Sequence, residues 1–286
     1  MSKETKTKKK ITKSKKLLII SACFVLAGFI VMFFPNAAKF YTGVEQGNRI
    51  QQFEDNVEKA KEEAQNENIQ YSTDPDLPEA RENEYSDTPL VTDTQAQNSQ
   101  TTHESQKYDP ELLARLYSDI VKYNKDLYES GQQLLDPFAY EQESFNLAQY
   151  SVYDNIFGYV SAPSINLNLP IYLGASKDNM WLGATQMTGT SIPIGGTNTN
   201  AVLAGHRGVI NMTMFDNIVF LEEGDSVFIN NFWSKLEYKV VGTEIILPTE
   251  SDKTKIQSDK DMLTLLTCHP YGYSSYRYIV YCERVK

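Results

Sequence analysis

The segment "MLTLLTCHPYGYSSYR", Met262–Arg277, predicts a β-hairpin near the C-terminal end of the sequence. A run of Leu and Thr ends on Cys268, and a second strand-like run, "YRYIVYCERV", contains Arg277. The eight residues between Cys268 and Arg277 include a proline and a glycine, which are typical of turns. If the two runs pair antiparallel, Cys268 and Arg277 lie opposite each other at the loop end of the hairpin.

Cys268 is a candidate nucleophile because a neighbouring cation favours the thiolate form of cysteine. A small buried side chain packed near an ion-paired arginine is the alternative interpretation. In the same register Cys282 lies opposite Met262 or Leu263, roughly 16 Å along the strand from Cys268. A disulfide needs Cα atoms within about 7 Å, so Cys282 is predicted to be an inert strand residue.

A catalytic thiol needs an acid–base partner, and the sequence contains three histidines. His206 ends the strand-like run in "AVLAGHRG" and enters a glycine-flanked loop, where its imidazole can approach a substrate. His269 follows Cys268 directly, and neighbouring residues of an extended chain point to opposite faces. His103 lies in a polar linker and is expected to be solvated. We therefore predict that His206 is the partner, with a structural histidine as the alternative.

No metal or cofactor is expected, because the sequence has no Cys-x-x-Cys or His-x-x-x-His spacing. From Ile156 onward, short β-branched and aromatic runs alternate with Gly, Pro, Asn and Asp. Many short strands at this spacing predict an all-β sandwich or barrel of about 130 residues. Before them, apolar spacings of three and four predict a helix that Asp109 caps, Pro110 begins and Gly131 ends.

The N-terminal part predicts a membrane anchor. Residues 1–16 contain eight lysines and one glutamate, and residues 17–34 are eighteen uncharged residues. As a helix, this segment measures roughly 27 Å, close to the hydrocarbon thickness of a bilayer. The lysines favour a cytoplasmic N-terminus and an external domain. A cleaved signal peptide is the alternative, although its apolar region is usually shorter, about 7–15 residues.

The formal net charge is -10 although residues 1–16 are basic, so the remainder of the chain is strongly acidic. This balance argues against nucleic acid as a partner, because phosphate contacts require a basic face. Residues 35–107 are polar and acidic, and predict a mostly disordered stalk. Within it, residues 53–70 are compatible with a charged helix.

The segments around Cys268, Arg277 and His206 resemble the sortase family, the membrane-anchored cysteine transpeptidases of Gram-positive bacteria. The resemblance is carried by "TLLTC" (264–268), by Arg277 nine residues later and by "GHRG" (205–208), and covers roughly residues 110–286. It implies a mainly β fold, a closed eight-stranded barrel with N-terminal helices. It also implies that His206, Cys268 and Arg277 are the catalytic residues.

The segment "LLDPFAYEQ" resembles the lid of class C, pilus-type sortases. By this resemblance Asp136 pairs with Arg277 and Phe138 stacks over Cys268, with Pro137 between them. An ordinary turn is the alternative, because Asp-Pro before an apolar residue is common in loops. The predicted regions are a basic cytoplasmic tail (1–16), an anchor (17–34), a stalk (35–107), a helical region (108–150) with a lid (131–140), and a catalytic barrel (151–286).

The resemblance implies that Cys268 cleaves LPXTG-like sorting signals through a thioester, which an amine then resolves. The amine is a pilin lysine in pilus assembly, or a peptidoglycan precursor in cell-wall anchoring. Two other classes compete with this interpretation. A papain-like peptidase places its cysteine before its histidine, the reverse of the order found here. A non-enzymatic stalked surface β-domain would bury Cys268 in its core.

Overall fold

The computed structural model describes residues 13–67, 69, 107–132 and 145–285. Within these residues the chain forms three α-helices and eight β-strands. The helices are α1 (Lys13–Asn66), α2 (Pro110–Ser130) and α3 (Lys177–Leu182). The strands are β1 (Gly158–Ala162), β2 (Leu167–Leu173), β3 (Ala184–Gln186), β4 (Thr199–Ala204), β5 (Ser226–Asn231), β6 (Lys235–Ile246), β7 (Asp261–His269) and β8 (Tyr276–Arg284).

The eight described strands close into one barrel in the order β1-β2-β3-β4-β7-β8-β6-β5. Two neighbouring pairs, β2–β3 and β4–β7, are parallel, and the others are antiparallel. The predicted mainly β barrel with N-terminal helices is therefore confirmed, and the sandwich is excluded. Closure leaves no unpaired edge among the described strands, whereas a sandwich would have edges to protect.

The hairpin of β7 and β8 has the register predicted from the sequence. Cys268 pairs with Arg277, and Cys282 pairs with Leu263. Cys282 forms no disulfide, and its burial raises the pKa of its thiol well above the ordinary value. A neutral thiol is a poor nucleophile, so the prediction of an inert Cys282 agrees with the structure.

Two apolar clusters cover the two faces of the barrel wall. Leu263 and Leu265 of β7 pack in the larger cluster, which also contains buried residues of α1 and α2. Leu266 packs instead in a second cluster with Ala204 and Ile279. Because successive strand residues point to opposite faces, Cys268 lies on the same face as Leu266.

Helix α2 follows the prediction closely. The carboxylate of Asp109 accepts hydrogen bonds from the backbone N–H groups of Glu111 and Leu112, and Pro110 begins the helix. Gly131 ends it with a positive φ of 76°. The buried Asn124 side chain donates to the Ile192 carbonyl and accepts from the Ile192 N–H, so polar contacts also hold α2 against the barrel.

Helix α1 contradicts the prediction of a mostly disordered stalk for residues 35–52, and the charged helix with which residues 53–70 were compatible is present up to Asn66. The helix is in part packed on the barrel. The ring of Phe53 lies 5.2 Å from that of Phe232 and 6.2 Å from that of Tyr108. The acidic composition hid a narrow apolar stripe whose members recur three or four residues apart. Its buried residues are Ile50, Phe53, Val57, Ala60 and Ala64.

Other predicted segments lie outside the described residues. These are residues 1–12 of the basic tail, residues 70–106 of the predicted stalk, and the lid residues Asp136, Pro137 and Phe138. Among the helices that the structure describes, none combines the length and the apolar character that crossing a bilayer requires.

Candidate active site

His206 and Cys268 are brought together by the parallel pairing of β4 and β7. The last pair in the ladder is Ala204 with Leu266. The backbone N–H of Gly205 then donates to the Leu266 carbonyl (3.1 Å), so the pairing continues past the end of β4. His206 and Cys268 each lie two residues beyond that last pair, so they are neighbours on adjacent strands.

Arg277 lies on the other side of Cys268, on β8. Its Nη1 donates to the Ser274 carbonyl (2.9 Å) and to the Tyr276 carbonyl (3.2 Å). The same Nη1 lies 3.9 Å from Cys268 Sγ. The two carbonyls hold the guanidinium beside the thiol. Arg277 is only 4% exposed, so its charge is largely shielded from bulk water.

His206, Cys268 and Arg277 form a row of three side chains on the face of the barrel wall that the second cluster covers. Ala204, Leu266 and Ile279 belong to that cluster, and each is two residues from one member of the row. Strand alternation therefore directs His206, Cys268 and Arg277 to the same side. A substrate on that side can contact a thiol, an imidazole and a guanidinium at once.

His269 does not share this face. Its ring lies 5.9 Å from that of Tyr278, which packs against the larger apolar cluster. His269 therefore lies on the opposite face of β7 from Cys268, as strand alternation requires.

The surroundings of His206 affect its protonation. Burial lowers the pKa of the His206 imidazole, because the charged form loses hydration. The ring of Trp181 lies 5.1 Å from the imidazole, at an interplanar angle of 46°. A neutral imidazole is the form that can accept a proton from the thiol.

Trp181 was not identified from the sequence. It lies on α3, whose N-terminus is capped by the Ser176 hydroxyl, which accepts from the Asn179 N–H (3.2 Å). The Ser-x-x-Asn spacing was the available signal, but a helix of six residues has little periodicity to read.

The loop after His206 contacts the hairpin loop after Cys268. Gly208 approaches Gly272 so closely that an added Cβ would lie 2.5 Å from the Gly272 nitrogen. The Arg207 guanidinium carbon lies 5.4 Å from the centre of the Tyr271 ring. The histidine and the cysteine are therefore held by two loops that pack on each other.

No group of three or more His, Cys, Asp or Glu residues in the described ranges is arranged to hold a metal ion. The chemistry of the row is that of a cysteine nucleophile with an acid–base partner and a fixed cation. A closed β-barrel carrying such a row defines a candidate site for cysteine-dependent acyl transfer.

Comparison with known proteins identifies the family. The model of the sortase domain matches residues 160–285. Sortase D of Bacillus subtilis (strain 168) is 31% identical over 131 residues, 45% of this chain and 63% of that protein. Sortase A of Bacillus anthracis is 31% identical over 127 residues, 44% of this chain and 58% of that protein. The chain thus spans less than two thirds of these curated relatives.

Solved structures of sortases are also similar to this chain. Sortase C-1 from Actinomyces oris superimposes with a TM-score of 0.56 and 34% identity, covering 62% of this chain and 99% of that chain. Sortase C1 of GBS Pilus Island 1 superimposes with a TM-score of 0.57 and 30% identity, covering 63% of this chain and 86% of that chain. The chain belongs to the sortase family, and its likeness to sortase C structures agrees with the class C resemblance of the sequence.

Proposed function

We propose that this protein is a membrane-anchored cysteine transpeptidase that cleaves LPXTG-like sorting signals and transfers the acyl part to an amine. One observation carries the proposal, the row of three side chains in which Cys268 lies between His206 and Arg277. Each member supplies one requirement of acyl transfer: a nucleophile, a proton carrier and a fixed positive charge.

In the first half of the reaction, the Cys268 sulfur attacks the carbonyl carbon of the threonine in the sorting signal. The thiol proton passes to the neutral imidazole of His206, and the carbonyl oxygen becomes an oxyanion. The guanidinium of Arg277 stabilises that charge or positions the substrate. The tetrahedral intermediate collapses as the His206 imidazolium gives its proton to the departing glycine amine, and a thioester remains.

In the second half, an acceptor amine attacks the thioester carbon and His206 takes up the amine proton. The Cys268 sulfur leaves as thiolate and recovers a proton from the imidazolium, so the enzyme is regenerated. The thioester conserves the free energy of the original peptide bond, so the exchange requires no nucleotide.

For the acceptor we propose a pilin lysine. The likeness to sortase C1 of GBS Pilus Island 1 supports this choice. The amine of a peptidoglycan precursor, which would make the protein a wall-anchoring enzyme, is the competing acceptor. A competition assay with a pilin domain and a precursor analogue separates the two by the mass of the product.

The proposed lid comprises Asp136, Pro137 and Phe138. Its support is the resemblance of "LLDPFAYEQ" to the lid of class C sortases. We expect Asp136→Ala or Phe138→Ala to increase turnover of a sorting peptide in vitro. Rates equal to wild type for both variants would contradict an inhibitory lid.

The decisive experiment is intact-mass analysis of the full chain in detergent after incubation with an LPXTG-type peptide. Wild type, Phe138→Ala and Cys268→Ala are compared. An acyl adduct that appears with Phe138→Ala and is absent from Cys268→Ala supports the proposal. If neither cysteine-bearing form gives an adduct with several sorting peptides, the proposal fails, and the non-enzymatic surface domain becomes the better interpretation.

A further inference from the structure

The loop that carries His206 is fastened by two consecutive residues, Phe215 and Asp216. The backbone N–H of Phe215 donates to the His206 carbonyl (2.9 Å). The ring of Phe215 fills the space beside Gly205, where an added Cβ would lie 2.8 Å from the ring. Apolar packing and one backbone bond thus fix the first two residues of "GHRG".

Asp216 fixes the next two residues of this segment, Arg207 and Gly208. Its Oδ1 accepts from the backbone N–H of Gly208 (2.8 Å), and its carbonyl accepts from Arg207 Nε (3.2 Å). The Asp216 residue is only 8% exposed. A buried carboxylate that binds a backbone N–H on one oxygen needs a partner for the other, since burial of an unpaired charge is costly.

That partner comes from α1. Lys39 Nζ lies 3.4 Å from Asp216 Oδ2. Two further α1 side chains reach the same loop: the Thr42 hydroxyl lies 3.1 Å from the Asn211 carbonyl oxygen, and Gln46 Nε2 lies 3.8 Å from the Met214 sulfur. These three residues recur at intervals of three and four, so they share one helix face.

We propose that Asp216 is a positioning residue for His206 and that Lys39 of α1 holds Asp216 in place. The ion pair orients the carboxylate, the carboxylate fixes Gly208, and the fixed loop keeps the imidazole beside the Cys268 thiol. Helix α1 thereby forms part of the catalytic support, in addition to leading from residues 17–34 to the barrel. This inference rests on the proposed function for its meaning, but its geometry can be tested without a sorting signal.

The test measures the alkylation rate of Cys268 by iodoacetamide against pH, on the full chain in detergent, with peptide-level mass spectrometry. This resolves Cys268 from the exposed Cys23. His206→Ala defines the profile without the imidazole. We expect the pH profile of Asp216→Ala to approach that of His206→Ala, with a change of about tenfold in the alkylation rate near neutral pH. The physical reason is that small misplacements of a reacting group have large kinetic effects.

Variants of Lys39 separate positioning from general stability. Lys39→Met removes the charge and should shift the profile in the same direction as Asp216→Ala, whereas Lys39→Arg keeps the charge and should restore the wild-type curve. Glu54→Gln is the matched control, because Glu54 accepts from the Tyr159 hydroxyl at another contact between α1 and the barrel. It should leave the profile unchanged.

Profiles of Asp216→Ala and Lys39→Met that overlay wild type would overturn the inference, even if their melting temperatures fall. If Asp216→Ala does not fold, Asp216→Asn and Lys39→Met decide in the same way. A wild-type profile identical to that of His206→Ala would overturn it as well. Failure of the proposed function is recognised separately, by the absence of a thioester adduct on a chain whose alkylation profile still depends on His206.

Discussion

At the scale of single residues, Arg277 combines a charge with a fixed shape. One guanidinium nitrogen donates to two backbone carbonyls and lies near the Cys268 sulfur. Lysine keeps the charge but carries it on a compact ammonium at the end of a flexible chain, without the rigid planar donor geometry of the guanidinium. We expect Arg277→Lys to lower kcat/KM for a sorting peptide by at least about 100-fold, the effect of losing one preorganised oxyanion donor.

The matched control for Arg277→Lys is Arg284→Lys, at the other end of β8. Arg284 also donates through Nη1 to a backbone carbonyl, that of Glu237, but it lies outside the row of active-site residues. Arg284→Lys should retain most of the activity. If Arg277→Lys and Arg284→Lys have similar kcat/KM values, the guanidinium of Arg277 has no special role in the reaction.

The depressed pKa of His206 makes stability depend on pH. Burial favours the neutral imidazole in the folded state, whereas the unfolded chain titrates near the ordinary value of about 6.5. Between the two pKa values the unfolded state binds more protons, so stability rises with pH. The stabilisation from neutral His206 is therefore present above about pH 6.5 and is lost as pH falls towards the folded pKa.

Removing the imidazole should remove this dependence. We expect the free energy of unfolding of His206→Gln to fall less than that of wild type between pH 7.5 and pH 5. Urea denaturation of both proteins at each pH measures the difference, and His103→Gln serves as the control. Parallel curves for wild type and His206→Gln would show that the folded and unfolded states protonate this side chain alike.

At the scale of elements, contact between the two active-site loops requires glycine at position 208. Gly208 has a φ of 84°, and a Cβ there would lie 2.5 Å from the nitrogen and 2.7 Å from the Cα of Gly272. Gly208→Ala therefore adds a backbone clash to the conformational strain. We expect it to lower both the melting temperature and the transpeptidation rate, because the loops carrying His206 and Cys268 must separate.

Gly224 provides the control for this substitution. Its φ is 94°, but an added Cβ would meet nothing within 4 Å. Gly224→Ala should cost only the left-handed strain, about 1–2 kcal/mol, and leave the rate per folded molecule unchanged. Equal rates per folded molecule for Gly208→Ala and Gly224→Ala would mean that the loop contact does not support the site.

Some elements were predictable because their information is local. Eight residues with turn chemistry separate Cys268 from Arg277, so the hairpin and its register followed from the sequence alone. The pairing of β4 with β7 joins strands about sixty residues apart, and no local pattern specifies it. The sequence could therefore nominate His206 but could not place it beside Cys268 by physical argument.

Other features of the fold leave little or no local pattern in the sequence. Strand β3 has three residues, too few to show alternation, and was missed. In α1 the buried apolar residues around Phe53 are few and lie among many Glu and Lys residues. The average composition of the segment is therefore polar, although one face of the helix is apolar. Asp216 was not identified from the sequence, because its ion pair with Lys39 joins positions far apart in the chain and no local pattern indicates it.

At the scale of the whole molecule, α1 joins the proposed anchor to the catalytic barrel. The helix is continuous from Lys13 to Asn66, and its later part packs on the same domain that carries the active site. If residues 17–34 span a membrane as proposed, the docked helix limits the distance between that membrane and His206, Cys268 and Arg277. A disordered stalk would leave this distance variable.

The proposed topology gives the last prediction, that residues 17–34 span the membrane with the barrel outside. We expect the full chain, with tags at both ends, to stay in the membrane fraction after alkaline carbonate extraction. Protease added to intact protoplasts should remove the C-terminal tag and spare the N-terminal one. Deletion of residues 17–34 should release the protein from the membrane. A C-terminal tag that is protected while the N-terminal tag is degraded would reverse the orientation, and loss of the N-terminal segment from the mature protein would favour a cleaved signal peptide instead.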